Sequence, residues 1–132
     1  MGLINGTCMI EYPATADTPR SHLPFSPCTK VGSLIFVSGQ ASVDAAGAIV
    51  SDTFEGEMRR SIHNLQMILE AAGSGLQHVV QTRNYVHDPV NLSVFNQVYR
   101  ELFSAPYPAR TTITQCLTEA LKFEIECIAI VK

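Results

Sequence analysis

The segment "FEIECIAIV", Phe123 to Val131, constrains the fold more than any other stretch of the chain. Successive residues of a strand point to opposite faces, so its strict alternation puts Phe123, Ile125, Cys127, Ala129 and Val131 on one side. Glu124, Glu126, Ile128 and Ile130 fall on the other. A chain carrying such a strand needs a sheet with one fully covered face. On the second face Ile128 and Ile130 are apolar as well, which points to burial against another subunit.

Two segments can supply the cover. Phe54, Met58, Ile62, Leu65, Leu69 and Ala72 recur at helical spacing, with Asp52 as the expected N-cap, Glu55 three residues on, and Gly73 as the stop. A second helix is expected over Leu92 to Phe103, with Phe95, Val98, Tyr99 and Leu102 on one face. Between them "VVQTRNYV", Val79 to Val86, is rich in β-branched residues and closes at Asp88-Pro89, which marks a strand.

Upstream, Leu34 to Ser38 reads as a strand interrupted by Gly39, and "DAAG" at Asp44 to Gly47 turns the chain into Ala48 to Val50 as a hairpin. After "PYPARTT" come strands expected at Thr111 to Cys116 and Lys122 to Val131. The order β-β-α-β-α-β-β favours an α+β fold, a mixed sheet with two helices packed on one face. Residues 1–132 are expected to form one domain, with an irregular arm over about 1–30 that carries Pro13, Pro19, Pro24 and Pro27 and one short strand expected around Cys8 to Tyr12.

Composition excludes several functions. With 9 Lys plus Arg against 12 Asp plus Glu, a net charge of −3 and no basic run, a nucleic-acid partner is disfavoured. The longest apolar runs are far below the ~20 residues that span a bilayer, and no basic segment followed by an apolar one opens the chain, so a cytoplasmic protein is expected. Cys8, Cys28, Cys116 and Cys127 match neither a CxxC pair nor a zinc pattern, and reduced thiols are expected. His22, His63, His78 and His87 have no ligand spacing, so no metal is expected. "AAGSGL" lacks the rest of a Walker or dinucleotide fingerprint, and Ser38 in "VSGQ" sits in no nucleophile elbow and reads as structural.

Three residues remain of chemical interest. Gly39, inside a strand, allows either a simple bulge or the close approach of a ligand to the backbone. Arg110 follows Pro106 and Pro108, which restrict its approach; it fits either a salt bridge that pins the turn or a carboxylate grip. Glu124 shares a strand face with Glu126, for which a solvated or ion-paired role is expected. If the last two strands pair as a hairpin, Arg110 and Glu124 lie at opposite ends, and a subunit boundary would be needed to join them.

In order and spacing, "LIFVSGQ", "NLQMILEAAG", "YVHDPVNLSVFNQVY", "YPAR" and "FEIECIAIV" resemble the RidA family of reactive-intermediate imine deaminases, also called YjgF or L-PSP. The resemblance runs from about Pro24 to Lys132. It implies a chorismate-mutase-like α+β fold assembled as a homotrimer, with a cleft at each subunit interface. It further implies hydrolysis of 2-imino acids, formed from enamines such as 2-aminoacrylate, to 2-oxo acids and ammonia, without a cofactor. By the same resemblance Arg110 grips the substrate carboxylate, Glu124 positions or activates water, and Gly39 and Thr112 offer backbone contacts. Thr112 stands where a cysteine is common, and Phe25 where a tyrosine is common. The segments from Tyr99 to Arg110 and from Arg110 to Glu124 are shorter than in the best-known members. These departures keep open a pathway-specific deaminase of an unsaturated amino acid. An L-PSP-type endoribonuclease and a noncatalytic trimer that binds small carboxylates are also compatible with the resemblance.

Overall fold

The computed structural model describes Leu3, Ile4 and residues 7–132, with side chains from Met9 onward. Three two-residue strands open the chain: β1 (Leu3–Ile4) pairs antiparallel with β2 (Thr7–Cys8), and β3 (Ile10–Glu11) forms one edge of the main sheet. The arm is thus more ordered than expected, and its last residues already belong to β4 (Cys28–Val31). Then follow β5 (Leu34–Ala41), α1 (Phe54–Ala71), β6 (Val79–Val86), α2 (Leu92–Leu102), β7 (Ala109–Thr114) and β8 (Phe123–Ile130). The six strands of the main sheet run in the order β3-β4-β5-β8-β6-β7.

The alternating segment therefore becomes a central strand, paired antiparallel with β5 on one side and β6 on the other. Phe123, Ile125, Cys127 and Ala129 are all buried beneath the helices. Both helices cover this face. Met58, Ile62, Leu65 and Leu69 of α1 are fully buried, and Phe95 of α2 packs its ring 6.0 Å from that of Phe123.

β7 and β8 do not form a hairpin. β6 lies between them, pairing parallel with β7, so two strands that are neighbours in sequence are separated in the sheet. β7 also begins earlier than expected, at Ala109, which puts Arg110 inside the strand. The expected hairpin after β5 reduces to a single bridge, Val43 to Ile49, closed by the turn in which Gly47 donates to the Asp44 carbonyl at 2.9 Å. β5 itself continues through Gly39 with a register shift between Val37 and Gln40.

The start of α1 is capped by Thr53, whose hydroxyl accepts from the Gly56 N–H at 3.1 Å, one residue later than expected. Asp52 is diverted because its carboxylate accepts from the Thr53 N–H at 2.7 Å and meets Arg60 at 3.4 Å, while its own N–H donates to Glu57 Oε2 at 3.1 Å. At the other end Gly73 adopts φ +84°, and the Gly73 and Ser74 N–H groups return to the Glu70 and Leu69 carbonyls, a Schellman closure. Ser74 then donates its hydroxyl to the Ile130 carbonyl at 2.6 Å, tying the helix end to the end of β8.

Glu57 ties the opposite ends of the same two elements. It is fully buried, and its carboxylate accepts from the Lys122 N–H at 3.0 Å and from Lys122 Nζ at 3.2 Å, besides the Asp52 N–H. The Lys122 side chain is 43% exposed, so most of the worth of this contact lies in the two backbone donors rather than in the ion pair. Glu57→Ala is expected to cost about 3 kcal/mol in chemical denaturation, because it leaves both N–H groups unpaired, whereas Lys122→Met is expected to cost less than about 1 kcal/mol.

Candidate active site

Arg110 is held from two directions. Its guanidinium carbon lies 5.0 Å from the Phe95 ring centroid and 4.9 Å from that of Tyr99, and Nη1 donates to Asn96 Oδ1 at 2.9 Å. Stacking a cation over aromatic faces orients it while leaving its remaining donors free. Tyr99 is itself fixed, with its hydroxyl 2.8 Å from Thr82 Oγ1 and its ring stacked on Phe103 at 4.5 Å. Thr82 is the β6 residue in register with Arg110, so the arginine emerges on the helix-covered face at the open edge of the sheet. Among the described residues of this chain Arg110 forms no salt bridge, one of the two roles open to it from the sequence. Instead, Arg110 faces a cavity of about 260 Å³ lined by Asn96, Tyr99, Arg100, Tyr107, Pro108 and Arg110 itself. Thr112, two residues along β7, shares its face and is half-buried.

Glu124 sits elsewhere. It points from the uncovered face of β8, in register with Ala41 of β5 and Tyr85 of β6. Its carboxylate lies against Gly39: a Cβ on that glycine would come within 2.6 Å of Glu124 Oε2. The bulge at Gly39 therefore makes room for the acid, which agrees with the first of the two readings the sequence leaves open. Phe25 and Gly39 line a second cavity, about 470 Å³, between the arm and the loop after β5. Ser38 holds these parts together by donating its hydroxyl to the Ser26 carbonyl at 2.6 Å, the structural role expected of it.

Arg110 and Thr112 thus form one group, and Glu124, Gly39 and Phe25 another. Within one chain, Arg110 and Glu124 lie on opposite faces of the sheet with β6 between their strands. Glu126 is ion-paired, as expected, to Arg83 at 3.5 Å, and it accepts a short hydrogen bond from Tyr85. That bond pushes the Tyr85 phenol up to about 12. Burial, followed by the charge of Glu126, raises the proton affinity of Glu124 above that of an ordinary glutamate.

Sequence reasoning left Asn96 unassigned. Its signal was present: a poor helix former inside α2, next to the apolar stripe and directly after Phe95. Among the described residues no group of His, Cys, Asp and Glu is placed to hold a metal, and no helix is long and apolar enough to cross a membrane. Cys28, Cys116 and Cys127 are free thiols, while the side chain of Cys8 lies outside the described residues.

A family model described as Endoribonuclease L-PSP matches residues 15–131. The chain belongs to this family, whose other names are RidA and YjgF. It is 38% identical over 122 residues to the RutC family protein y4sK of Sinorhizobium fredii, covering 91% of this chain and 97% of that one. It is 31% identical over 121 residues to the 2-iminobutanoate/2-iminopropanoate deaminase of Salmonella typhimurium, covering 89% and 94%. The crystal structure of the YjgF gene product from E. coli superposes with a TM-score of 0.82 at 30% identity, over 92% of this chain and 99% of that one. The α+β fold expected from the sequence is thereby shown, and the relatives include a deaminase of small imino acids.

The two causes of the Glu124 shift can be separated by carboxyl carbon-13 NMR. The Glu124 midpoint is expected above 4.5 and should fall in Glu126→Gln, while staying above that value because burial is the larger cause. A midpoint at or below 4.5 in the parent would contradict the burial described here.

Proposed function

We propose that the protein hydrolyses 2-imino acids to 2-oxo acids and ammonia in a cleft formed between copies of the chain. The observation that carries this reading is the held guanidinium of Arg110, which keeps donors free beside a cavity and has no carboxylate partner among the described residues. A planar fork of this kind suits a substrate carboxylate, to which it can donate two parallel hydrogen bonds.

The second chemical group is Glu124, which a neighbouring copy would supply, since one chain holds it on the opposite sheet face from Arg110. Self-association is supported by the uncovered face, where Leu34, Phe36, Ile113 and Ile130 are each about 40% exposed. Family membership makes a homotrimer the assembly proposed. Gly39, Phe25 and Thr112 would line the completed cleft, Gly39 and Thr112 through their backbones.

In the reaction the water oxygen bonds to the imine carbon and the C–N bond breaks. Both water protons end on nitrogen, which leaves as ammonia. Glu124 takes one proton from water and returns it to nitrogen, and the raised proton affinity that burial causes suits a group that must do both. Positioning and one proton shuttle suffice for so reactive a bond, and no step calls for a cofactor. The setting proposed is the cytoplasm, with which the free thiols agree. An RNA partner finds no support in a net charge of −3.

The test is ammonia release from 2-iminopropionate generated by an amino-acid oxidase with catalase, with the mass of the assembly measured by light scattering. Arg110→Ala is expected to lower kcat/KM by about 100-fold or more and Glu124→Gln by a similar factor, in variants with the parent's circular dichroism. A parent that does not exceed the uncatalysed rate, or variants that match the parent, would overturn the assignment.

A further inference from the structure

The cavity beside Arg110 holds a second cation. Arg100, in the last turn of α2, lines it together with Arg110, and no carboxylate contributes to its wall. Five of the nine Lys and Arg residues are neutralised instead. Lys30, Arg59, Arg60, Arg83 and Lys122 each meet an Asp or Glu. Arg100 meets none among the described residues, and its helix neighbours at three and four positions, Asn96, Gln97, Phe103 and Ser104, are all uncharged. Glu101, next to it in sequence, is engaged by Arg59 at 2.6 Å.

Two guanidinium groups around one small cavity attract anions; Arg110 takes one substrate carboxylate and Glu124 of a neighbouring copy holds the water, so Arg100 stays available for a second carboxylate. We infer that Arg100 is a specificity-determining residue that binds a second carboxylate, so that the preferred substrates are 2-imino dicarboxylates. The inference rests on the imine-hydrolysis reading and names its substrate class. Arg110, fixed by Phe95, Tyr99 and Asn96, takes the carboxylate beside the imine carbon. Arg100 is exposed and has no partner to restrain it, so it reaches the carboxylate at the far end of a chain of four or five carbons. Tyr107 and Pro108 supply the apolar wall along the intervening methylenes. Water adds and ammonia leaves as for any imino acid, and the second carboxylate is unchanged.

The experiment compares 2-iminosuccinate, generated from D-aspartate by D-aspartate oxidase, with 2-iminopropionate, generated from D-alanine, both with catalase and the uncatalysed rate subtracted. The readout is the ratio of kcat/KM for the dicarboxylate to that for the monocarboxylate. A ratio of about 10 or more is expected in the parent, the size of one charge-assisted hydrogen bond, with a decline as salt is added. In Arg100→Gln the ratio should fall to near one, and Arg100→Lys should restore part of it. A parent ratio at or below one, or a ratio that Arg100→Gln leaves unchanged, would overturn the inference while leaving the deaminase reading intact. If the parent turns over neither imine, that reading fails, and calorimetric titration with 2-oxoglutarate and 2-oxobutyrate decides the two-cation site by itself. Tighter binding of 2-oxoglutarate that is lost in Arg100→Gln would sustain it; equal binding or none would overturn it.

Discussion

The central position of β8 is the constraint on which the rest of the structure depends. With hydrogen bonds to β5 and β6 on its two sides, the strand cannot slip by one residue without carrying Phe123 and Ile125 out of the core and two glutamates into it. Its ends are secured separately. Glu57 holds the backbone at Lys122, and Ser74 holds the carbonyl of Ile130, so α1 clamps the strand at both termini. This register aims Glu124 at the gap left by Gly39, and it aims Ile128 and Ile130 away from the helices.

The two groups proposed for the chemistry, Arg110 and Glu124, are held by different means. Arg110 is oriented by aromatic faces and an amide, which leave its charge unneutralised. Glu124 is oriented by close packing against a glycine, and its proton affinity is raised by burial and by a neighbouring acid. Burial of the Glu124 carboxylate goes against local stability, whereas Arg110 stays exposed and stacked on aromatic faces. Sheet order keeps them apart: β6 intervenes and the side chains leave from opposite faces. The same order leaves an apolar face uncovered, so the separation of Arg110 from Glu124 and the exposed hydrophobic surface have one origin.

Much of the fold was legible because periodicity is a local property. The range of β6, the buried stripe of α1 and the closure at Gly73 follow from side-chain spacing and from the need for a positive φ. The departures share a different character. Thr53 caps α1 in place of Asp52, whose carboxylate is engaged by the Thr53 N–H and by Arg60; either oxygen could serve by sequence, and these partners decide. Asn96 was visible as an unfavourable residue in a helix, but its role required knowing that Arg110 returns to the same spot 14 positions later.

What the sequence determined by itself is the face on which each residue falls: alternation in β8 and helical spacing in α1 and α2 assign core and exterior without knowledge of the partner elements. Only the tertiary structure decided that β6 separates β7 from β8, that Arg110 lies over Phe95 and Tyr99, and that Arg100 shares its cavity. Strand order is set by how the two helices cover one sheet and by the parallel pairing of β6 with β7, both of which are long-range contacts. No local pattern records them, because the hydrogen bonds of a strand are the same whichever neighbour satisfies them.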